Sequence, residues 1–260
     1  MSEGPNEVVT PRGRSPVPAV LHMDADLLAL DKPAGVLSVK GRGAAVALAD
    51  LLRGRGGTPA DEPFRVVHRL DKDASGVILF ARTLAAQRSL VSQFASRSVE
   101  KVYLALVQGF VAEDGVIDQP LRTDKSGTRA EVSRRGKAAV TEYRVLERVA
   151  GNTLLECRPL TGRLHQIRVH LAALGHPLTV DPLYGGGTAV LLSHLKAGYR
   201  PDRRFGERPL IERLTLHAAR VTVKHPTSGE PLTVEAPLPK DLRATLSQLR
   251  RHAGRRGAGE

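Results

Sequence analysis

The sequence predicts an α+β fold built around one main domain. At 260 residues the chain can bury one good-sized core, and two independent domains would be cramped. Short strand-like runs are interspersed with only a few helix-like stretches, a pattern that favours α+β over regular βαβ winding. We expect the domain to span residues 21–249, between a flexible arm of residues 1–20 and a basic tail of residues 250–260.

Six short runs rich in apolar and β-branched residues are the predicted strands: residues 27–30, 76–81, 102–107, 142–146, 153–157 and 214–223. Between the second and third runs, Thr83 can cap a helix that reaches about Ala95. The apolar side of this helix would consist of Ala86, Leu90, Val91 and Phe94. Residues 225–230 indicate a turn between two late strands.

A further helix is predicted from Gly162 to about Leu174, with Gly175 as its stop. Its apolar stripe would be formed by Leu164, Ile167, Leu171 and Leu174. Arg168 lies on the flank of this stripe, so part of the side chain should be covered and its guanidinium should need an acidic partner. The alternative is that Arg168 extends to solvent or pairs with any nearby glutamate.

The charge of the chain indicates a polyanionic partner. Lys and Arg outnumber Asp and Glu by 39 to 27, which gives a formal charge of +12. Because such an imbalance is typical of proteins that neutralise phosphates, nucleic acid is the expected partner. The alternative is a merely soluble basic protein, or one whose ends carry the surplus. An aromatic content of 3% argues against a broad stacking platform for single strands.

Other features of the composition concern location. Cys157 is the only cysteine, so no intrachain disulfide can form, as expected in a reducing compartment. There is neither a run resembling a signal peptide nor a stretch of eighteen apolar residues. We therefore expect a cytoplasmic protein that does not span a membrane. No obligate protein partner is indicated, and a monomer is expected.

The most informative segment is residues 66–77, Val-Val-His-Arg-Leu-Asp-Lys-Asp-Ala-Ser-Gly-Val. It places Asp71 between basic residues, at the point where a short apolar run breaks into a Ser-Gly turn. A carboxylate placed in this way is a candidate nucleophile, and the alternative is a surface aspartate that closes a turn.

Two segments together resemble the signatures of the RluA family of RNA pseudouridine synthases. They are His-Arg-Leu-Asp ending in Ser-Gly, at residues 68–76, and Gly-Arg-x-His-Gln-x-Arg-x-His, at residues 162–170. Further matches follow in order: residues 31–35 with 37–39, 101–103, 175–177, 181–185, and 216–218 leading to 225–226. The resemblance spans residues 24 to 238, and so many ordered matches make coincidence improbable. Departures are Ala74 in place of Thr, Asp31 in place of Asn, and Val180 in place of Gly.

The resemblance implies the fold and the reaction. The fold would be a mixed, mainly antiparallel sheet flanked by helices, with an active cleft across its middle. The chain resembles the single-domain form of the family, without an S4 RNA-binding domain. The implied reaction isomerises uridine in ribosomal or transfer RNA and needs no cofactor and no metal. The spacing of His165, His170 and His176 likewise does not put three ligands on one helical face.

The resemblance also assigns the catalytic roles. Asp71 would attack the sugar or assist release of the base, and Arg168 would keep its carboxylate ionised. Tyr103, which without the match could simply be a core residue, would stack on the target base and could remove the C5 proton. Because a base must leave its stack before it can react, Arg69 is a candidate to fill the vacated space, the alternative being a phosphate contact or ion pair. The residues expected to support the cleft or to touch the RNA backbone are His68, Lys32, Arg163, His165 and Gln166.

Three other functions remain open at this point. A catalytically silent RNA-binding protein could keep the same fold, although the intact set of Asp71, Tyr103 and Arg168 argues against it. A glycosidase or nucleoside hydrolase would normally need a second carboxylate to handle water, and no convincing partner lies near either segment. Modification of DNA is the third alternative, but the family's substrates are RNA.

Overall fold

The computed structural model describes residues 18–39, 48, 64–202, 204 and 206–253. The strands are β1 (Ala19–Met23), β2 (Leu27–Lys32), β3 (Arg65–Val66), β4 (Ser75–Ala81), β5 (Glu100–Gln108), β6 (Gly115–Asp118), β7 (Leu121–Thr123), β8 (Ala130–Val132), β9 (Val140–Val149), β10 (Asn152–Pro159), β11 (Leu216–Lys224) and β12 (Pro231–Glu235). The α-helices in these residues are α1 (Leu84–Ala95), α2 (Gln166–Ala173) and α3 (Lys240–His252). The six strands expected from sequence correspond to β2, β4, β5, β9, β10 and β11, so the α+β prediction is confirmed.

One large mixed sheet organises the protein. Its strand order is β1-β2-β4-β11-β5-β10-β9-β6, with β12 paired to β11 and β3 paired to β4. Its strand pairs are antiparallel except that between β4 and β11, which is parallel. The strands β7 and β8 form a separate two-stranded sheet. The mixed, mainly antiparallel architecture expected from the resemblance is therefore confirmed.

The parallel pair at the sheet centre requires a glycine. Gly76 lies opposite Ala218, and its φ of +112° is in the region that residues with a Cβ rarely adopt. A Cβ at this position would lie 2.1 Å from the carbonyl oxygen of Ala218. The Ser-Gly step of the sequence motif therefore lets β4 pair closely with β11 directly after the loop that carries Asp71.

Helices cover both faces of the sheet. Ile167 and Leu171 of α2 pack on one face with Ala105 and Leu155. Leu242, Leu246 and Leu249 of α3 pack on the other face with Leu106 and Leu154. Because both faces of β4 are covered by apolar clusters, all seven of its residues are buried, which explains why residues 76–81 are apolar without polar alternation.

The structure confirms the predicted cap of α1 and differs from the sequence prediction in details of both α1 and α2. Thr83 caps α1 by accepting a 3.0 Å hydrogen bond from the backbone N–H of Ala86. Val91, expected on the apolar side of α1, is 44% exposed. The helix α2 begins at Gln166 instead of Gly162, because His165 adopts a left-handed conformation with φ of 52°. Leu174 is exposed as well, so the buried stripe of α2 is shorter than expected.

One strand and one helix extend past residues 21–249, the limits expected for the main domain. The strand β1 starts at Ala19, within the stretch expected to be an arm, and α3 continues to His252, within the stretch expected to be a tail. Arg250 contacts Glu147 through a 2.7 Å ion pair, so it belongs to the fold. The rest of the expected arm and tail lies outside the described residues. No helix within the described ranges is long and apolar enough to cross a membrane.

Candidate active site

A cleft of about 400 Å³ brings together residues that are far apart in the chain. Its walls come from the loop before β4, the start of β5, and the segment from the end of β10 to α2. Every site residue predicted from the sequence lines this cleft except Lys32: His68, Arg69, Asp71, Tyr103, Arg163, His165, Gln166 and Arg168. The residues predicted from two separate motifs therefore form one site.

Asp71 lies at this cleft with 19% of its side chain exposed. Its Oδ2 accepts a 3.0 Å hydrogen bond from Nη1 of Arg168. Its Oδ1 lies 3.9 Å from Nε2 of His165. The backbone carbonyl of Asp71 also accepts a 3.2 Å hydrogen bond from the N–H of Ala74, which closes the turn. One carboxylate oxygen is thus held by a cation, while the other faces His165.

Arg168 is held in place by a second carboxylate, that of Asp181. Nε and Nη2 of Arg168 donate to Oδ2 and Oδ1 of Asp181 at 2.7 and 2.9 Å. Asp181 is fully buried, and the ring of Tyr184 lies 5.0 Å from the guanidinium carbon. Burial alone would lower the pKa of Arg168, but Asp181 and Asp71 outweigh burial and leave that pKa above its usual value. The guanidinium is therefore permanently charged and rigidly oriented toward Asp71.

The expectation that Arg168 needs an acid is thus met by two acids, of which Asp181 was not among the predicted site residues. In the sequence, Asp181 belongs to the Asp-Pro match at residues 181–185. The sequence did offer an indication of a second acid, because a buried guanidinium has enough N–H donors for more than one carboxylate.

His165 is oriented by Tyr184. The hydroxyl of Tyr184 accepts a 2.9 Å hydrogen bond from the N–H of Ala130 and lies 2.9 Å from Nδ1 of His165. The hydroxyl can therefore donate its proton to Nδ1, which leaves the ring proton on Nε2, the atom that faces Asp71. Burial lowers the pKa of His165 and outweighs the opposing effect of Asp71, so the ring favours the neutral form.

Tyr103 follows Lys101 by two residues on β5, and both side chains line the cleft. Burial, assisted by the negative charge of Asp71, raises the pKa of the Tyr103 hydroxyl well above its usual value. Tyr103 also contacts apolar residues of the core. The ring is therefore a protonated, partly buried platform beside the carboxylate.

Lys32, which was predicted to support the cleft or touch RNA, is hydrogen-bonded within the protein. Lys32 is fully buried, and its Nζ donates to the carbonyls of Pro33, Val36 and Lys72 at 2.8–2.9 Å. Burial lowers the pKa of Lys32 to about 7, against the opposing charges of Asp73 and Asp71. Because no part of Lys32 reaches the surface, the RNA contact in its prediction does not fit the structure. Its hydrogen bond to the carbonyl of Lys72 instead stabilises the backbone directly after Asp71, the candidate nucleophile.

The side chain of Gln166 is also hydrogen-bonded within the protein. Its Oε1 accepts hydrogen bonds from Thr161 Oγ1 and the N–H of Arg163 at 2.7 and 3.0 Å, and its Nε2 donates to the carbonyl of Val140 at 2.9 Å. The side chain is 5% exposed, so it holds the turn before α2 in place. Arg69, in contrast, is exposed at the rim, and Arg163 is partly exposed with its Nε bonded to the carbonyl of Ala138.

His68 lines the cleft as a partly buried, neutral ring. Its Nε2 accepts a 2.9 Å hydrogen bond from the N–H of Leu79, so the proton is on Nδ1. The ring stacks on Phe94 with centroids 4.5 Å apart. Burial, with a smaller effect of Lys101, lowers the pKa of His68 to about 3. The imidazole therefore carries no charge for a phosphate at neutral pH.

The neutral state of His68 in the folded protein predicts a pH dependence of stability. An unfolded histidine has a pKa of about 6.5, so between this value and the folded pKa of about 3 the unfolded state binds more protons. The free energy of unfolding should therefore fall with pH below about 6.5, by up to about 1.4 kcal/mol per pH unit from this residue. Urea unfolding should show that the native protein loses about 2 kcal/mol more between pH 7 and pH 5 than His68→Gln, which keeps an acceptor for Leu79. Equal losses would contradict the prediction.

The described part of the chain contains no group of three or more His, Cys, Asp or Glu placed to hold a metal ion. The arginine and lysine side chains at the cleft are Arg69, Arg97, Lys101, Arg163 and Arg168, whereas Asp71 is the acidic residue of the lining. Such a cleft attracts an anionic substrate toward one carboxylate.

Comparisons with known proteins agree with this geometry. The family model described as RNA pseudouridylate synthase matches residues 26–173. A ribosomal large subunit pseudouridine synthase D of Xanthomonas campestris is 43% identical over 91% of this chain and 70% of its own length. A ribosomal large subunit pseudouridine synthase D of Nitrosomonas europaea is 40% identical, with 65% of its length covered. A ribosomal large subunit pseudouridine synthase C of Escherichia coli is 38% identical, with 70% covered. The chain thus spans about two thirds of the length of these relatives.

Solved structures show the same fold. Human RNA Pseudouridylate Synthase Domain Containing 1 is 30% identical, with a TM-score of 0.65 over 88% of this chain and 87% of that one. Human RNA Pseudouridylate Synthase Domain Containing 4 is 26% identical, with a TM-score of 0.65 over 89% and 93%. The mixed sheet and its cleft define a pseudouridine synthase domain, the catalytic unit of isomerases that act on RNA. The chain belongs to the RluA family of RNA pseudouridine synthases.

Proposed function

We propose that this protein converts uridine in structured large-subunit ribosomal RNA to pseudouridine, with Asp71 as nucleophile and without a cofactor. The observation that carries the proposal is the array in which Asp181 fixes Arg168 and Arg168 holds Asp71 beside Tyr103. The names of the relatives support ribosomal RNA as the substrate class.

The reaction breaks the C1′–N1 bond of uridine and forms a C1′–C5 bond. The C5 proton is lost and N1 gains a proton, so no oxidant or group donor is needed. Asp71 either attacks C1′ or stabilises the positive charge that develops there as the base leaves. Arg168 contributes by donating a hydrogen bond to one oxygen of this carboxylate, which fixes the orientation of the group toward the sugar.

Tyr103 is the proposed platform for the detached uracil. Its ring lies beside Asp71 at the cleft, so a base that rotates there can keep a stacking contact. The hydroxyl is also the candidate base for the C5 proton. Its raised pKa at rest reflects burial and the charge of Asp71, and the contribution of Asp71 disappears if that carboxylate becomes esterified.

The target base must leave its stack to reach Asp71, at a cost of about a few kcal/mol. Arg69 is exposed at the rim and only two residues from Asp71, so it is the proposed residue to occupy the vacated space. Arg163 and the neighbouring His165 complete the rim on the α2 side.

The test is release of tritium from RNA labelled at uracil C5. Ribosomal and transfer RNA from cells that lack this gene are incubated separately with the protein. We expect release from ribosomal RNA, with pseudouridine mapped to the large subunit. Release from transfer RNA alone would contradict the substrate class. Tight binding without release from either pool would indicate a silent binder, and free uracil in solution would indicate a hydrolase.

A further inference from the structure

Two cations at the cleft have no role in the array around Asp71. They are Arg97, which follows α1, and Lys101 on β5. Neither forms an ion pair with a carboxylate of the described residues, and the hydrogen bond that Lys101 Nζ makes there is to the carbonyl of Thr161 at 3.3 Å. Burial and the charge of Arg97 lower the pKa of Lys101. The two positive charges thus repel each other beside a cleft that contains one acidic side chain.

The backbone at Arg97 adopts a conformation that is unfavourable for arginine. The N–H of Arg97 bonds to the carbonyl of Phe94, and that of Ser98 bonds to the carbonyl of Gln93. This pair of bonds is the Schellman ending of a helix, in which the residue at the Arg97 position is left-handed and is usually glycine. Arg97 has a φ of 63°, so it occupies a strained position in which glycine would be relaxed. The fold itself gives no reason for arginine here.

Arg97 and Lys101 lie at the junction between the cleft and a second cavity. Both line the cleft and, in addition, an adjoining cavity of about 330 Å³. Lys101 and Tyr103 are two residues apart on β5 and share its cleft-facing side. The second cavity is also lined by Glu100 and Glu142, which would repel an anion, and by Arg158, which is paired with Glu156 at 2.9 Å. An anion is therefore favoured beside Arg97 and Lys101 over the part of the cavity lined by the two glutamates.

We propose that Arg97 and Lys101 form a subsite for one backbone phosphate of the RNA, at a linkage next to the target uridine. The proposal rests on the proposed function. A uridine that lies against Tyr103 remains joined to its neighbours by phosphodiesters, and the strand must leave the cleft past one of its borders. At this border two cations without acidic partners are available, and a phosphate between them would neutralise both. The subsite positions the strand but takes no part in the chemistry.

The first test uses Arg97→Gly, because glycine suits the left-handed position. We expect its thermal unfolding midpoint to equal or exceed that of the native protein. Its kcat with a large-subunit rRNA transcript should be unchanged, and its KM should rise roughly five- to tenfold, which is typical for the loss of one phosphate contact. The control is Arg88→Ala, which removes an exposed arginine of α1 that does not line the cleft. If Arg97→Gly and Arg88→Ala have the same KM, the subsite is wrong.

The second test asks whether both cations bind the same phosphate. The slope of log affinity against log salt should fall by about one in Arg97→Gly, in Lys101→Gln and in the double variant alike. A fall of about two in the double variant would show separate contacts and overturn the shared subsite. Lys101→Arg should retain the native slope.

A neutral methylphosphonate linkage on either side of the mapped uridine completes the test. On one side it should raise the KM of the native protein but not that of the double variant, because that variant lacks both cations that contact the phosphate. If both proteins lose affinity equally on both sides, the subsite is refuted. Salt slopes of binding test the subsite even if the native protein forms no pseudouridine, so its failure and that of the proposed function are distinguishable.

Discussion

Asp71→Asn should abolish pseudouridine formation, with a loss on the order of 10⁴-fold or more, because the amide cannot act as a nucleophile. The side chain keeps its size and one oxygen that can accept from Arg168, so the fold should be preserved. Tritium release from C5-labelled RNA measures the activity. The affinity for RNA and the midpoint of urea unfolding show whether the variant is otherwise intact.

Asp73→Asn is the matched control for this change. Asp73 lies in the same loop but is exposed and does not line the cleft. It should retain activity close to that of the native protein. Comparable losses in both variants would mean that the loop, and not the Asp71 carboxylate, limits the reaction. Retained activity in Asp71→Asn would refute the proposed nucleophile.

Arg168→Met should both destabilise the protein and inactivate it. The change leaves the fully buried carboxylate of Asp181 without its bidentate partner, at an expected cost of about 3–5 kcal/mol in the free energy of unfolding. It also removes the cation that holds the Asp71 carboxylate in place at the cleft. Urea unfolding measures the first effect and tritium release the second.

The double variant Arg168→Met with Asp181→Asn separates stability from catalysis. Asparagine keeps an acceptor for the N–H of Leu183, which bonds to Asp181 Oδ1 at 3.1 Å. With both buried charges removed, the double variant should be more stable than Arg168→Met, yet remain inactive. Recovery of activity along with stability would show that Arg168 acts only through the fold. A double variant no more stable than the single one would show that the pair is not energetically coupled.

Some elements could be predicted from the sequence because local rules decide them. Thr83 caps α1 through a bond to a residue three positions away, and Gly175 ends the region of α2 with a φ of +90°. The helix α3 was not predicted, although Leu242, Leu246 and Leu249 repeat at helical spacing and are buried; only its last three residues fall in the stretch expected to be a tail. The late start of α2 was also missed, since the bonds of the Gln166 side chain to Thr161 and Arg163 stabilise a turn that competes with the helix.

The candidate site likewise combines features that the sequence predicts with features that depend on the tertiary structure. The sequence alone singled out Asp71 as a candidate nucleophile and indicated that Arg168 needs an acid. That these two meet depends on residues 97 positions apart in the chain, and the hidden role of Asp181 depends on the path of the segment after α2. The burial of Lys32 similarly depends on its bond to a carbonyl 40 residues away.

By itself, then, the sequence determined the α+β class, six of the twelve strands described, the cap of α1, the basic character and, through its ordered motifs, the family. The tertiary structure alone decided the parallel contact of β4 with β11, the convergence of Asp71, Arg168 and Asp181, and the positions of Arg97 and Lys101 at the border of the cleft. The physical reason is the distance along the chain between the residues that interact. Caps, turns and strand periodicity depend on neighbours within a few residues, whereas strand order and charge pairing depend on which distant segments pack together in three dimensions.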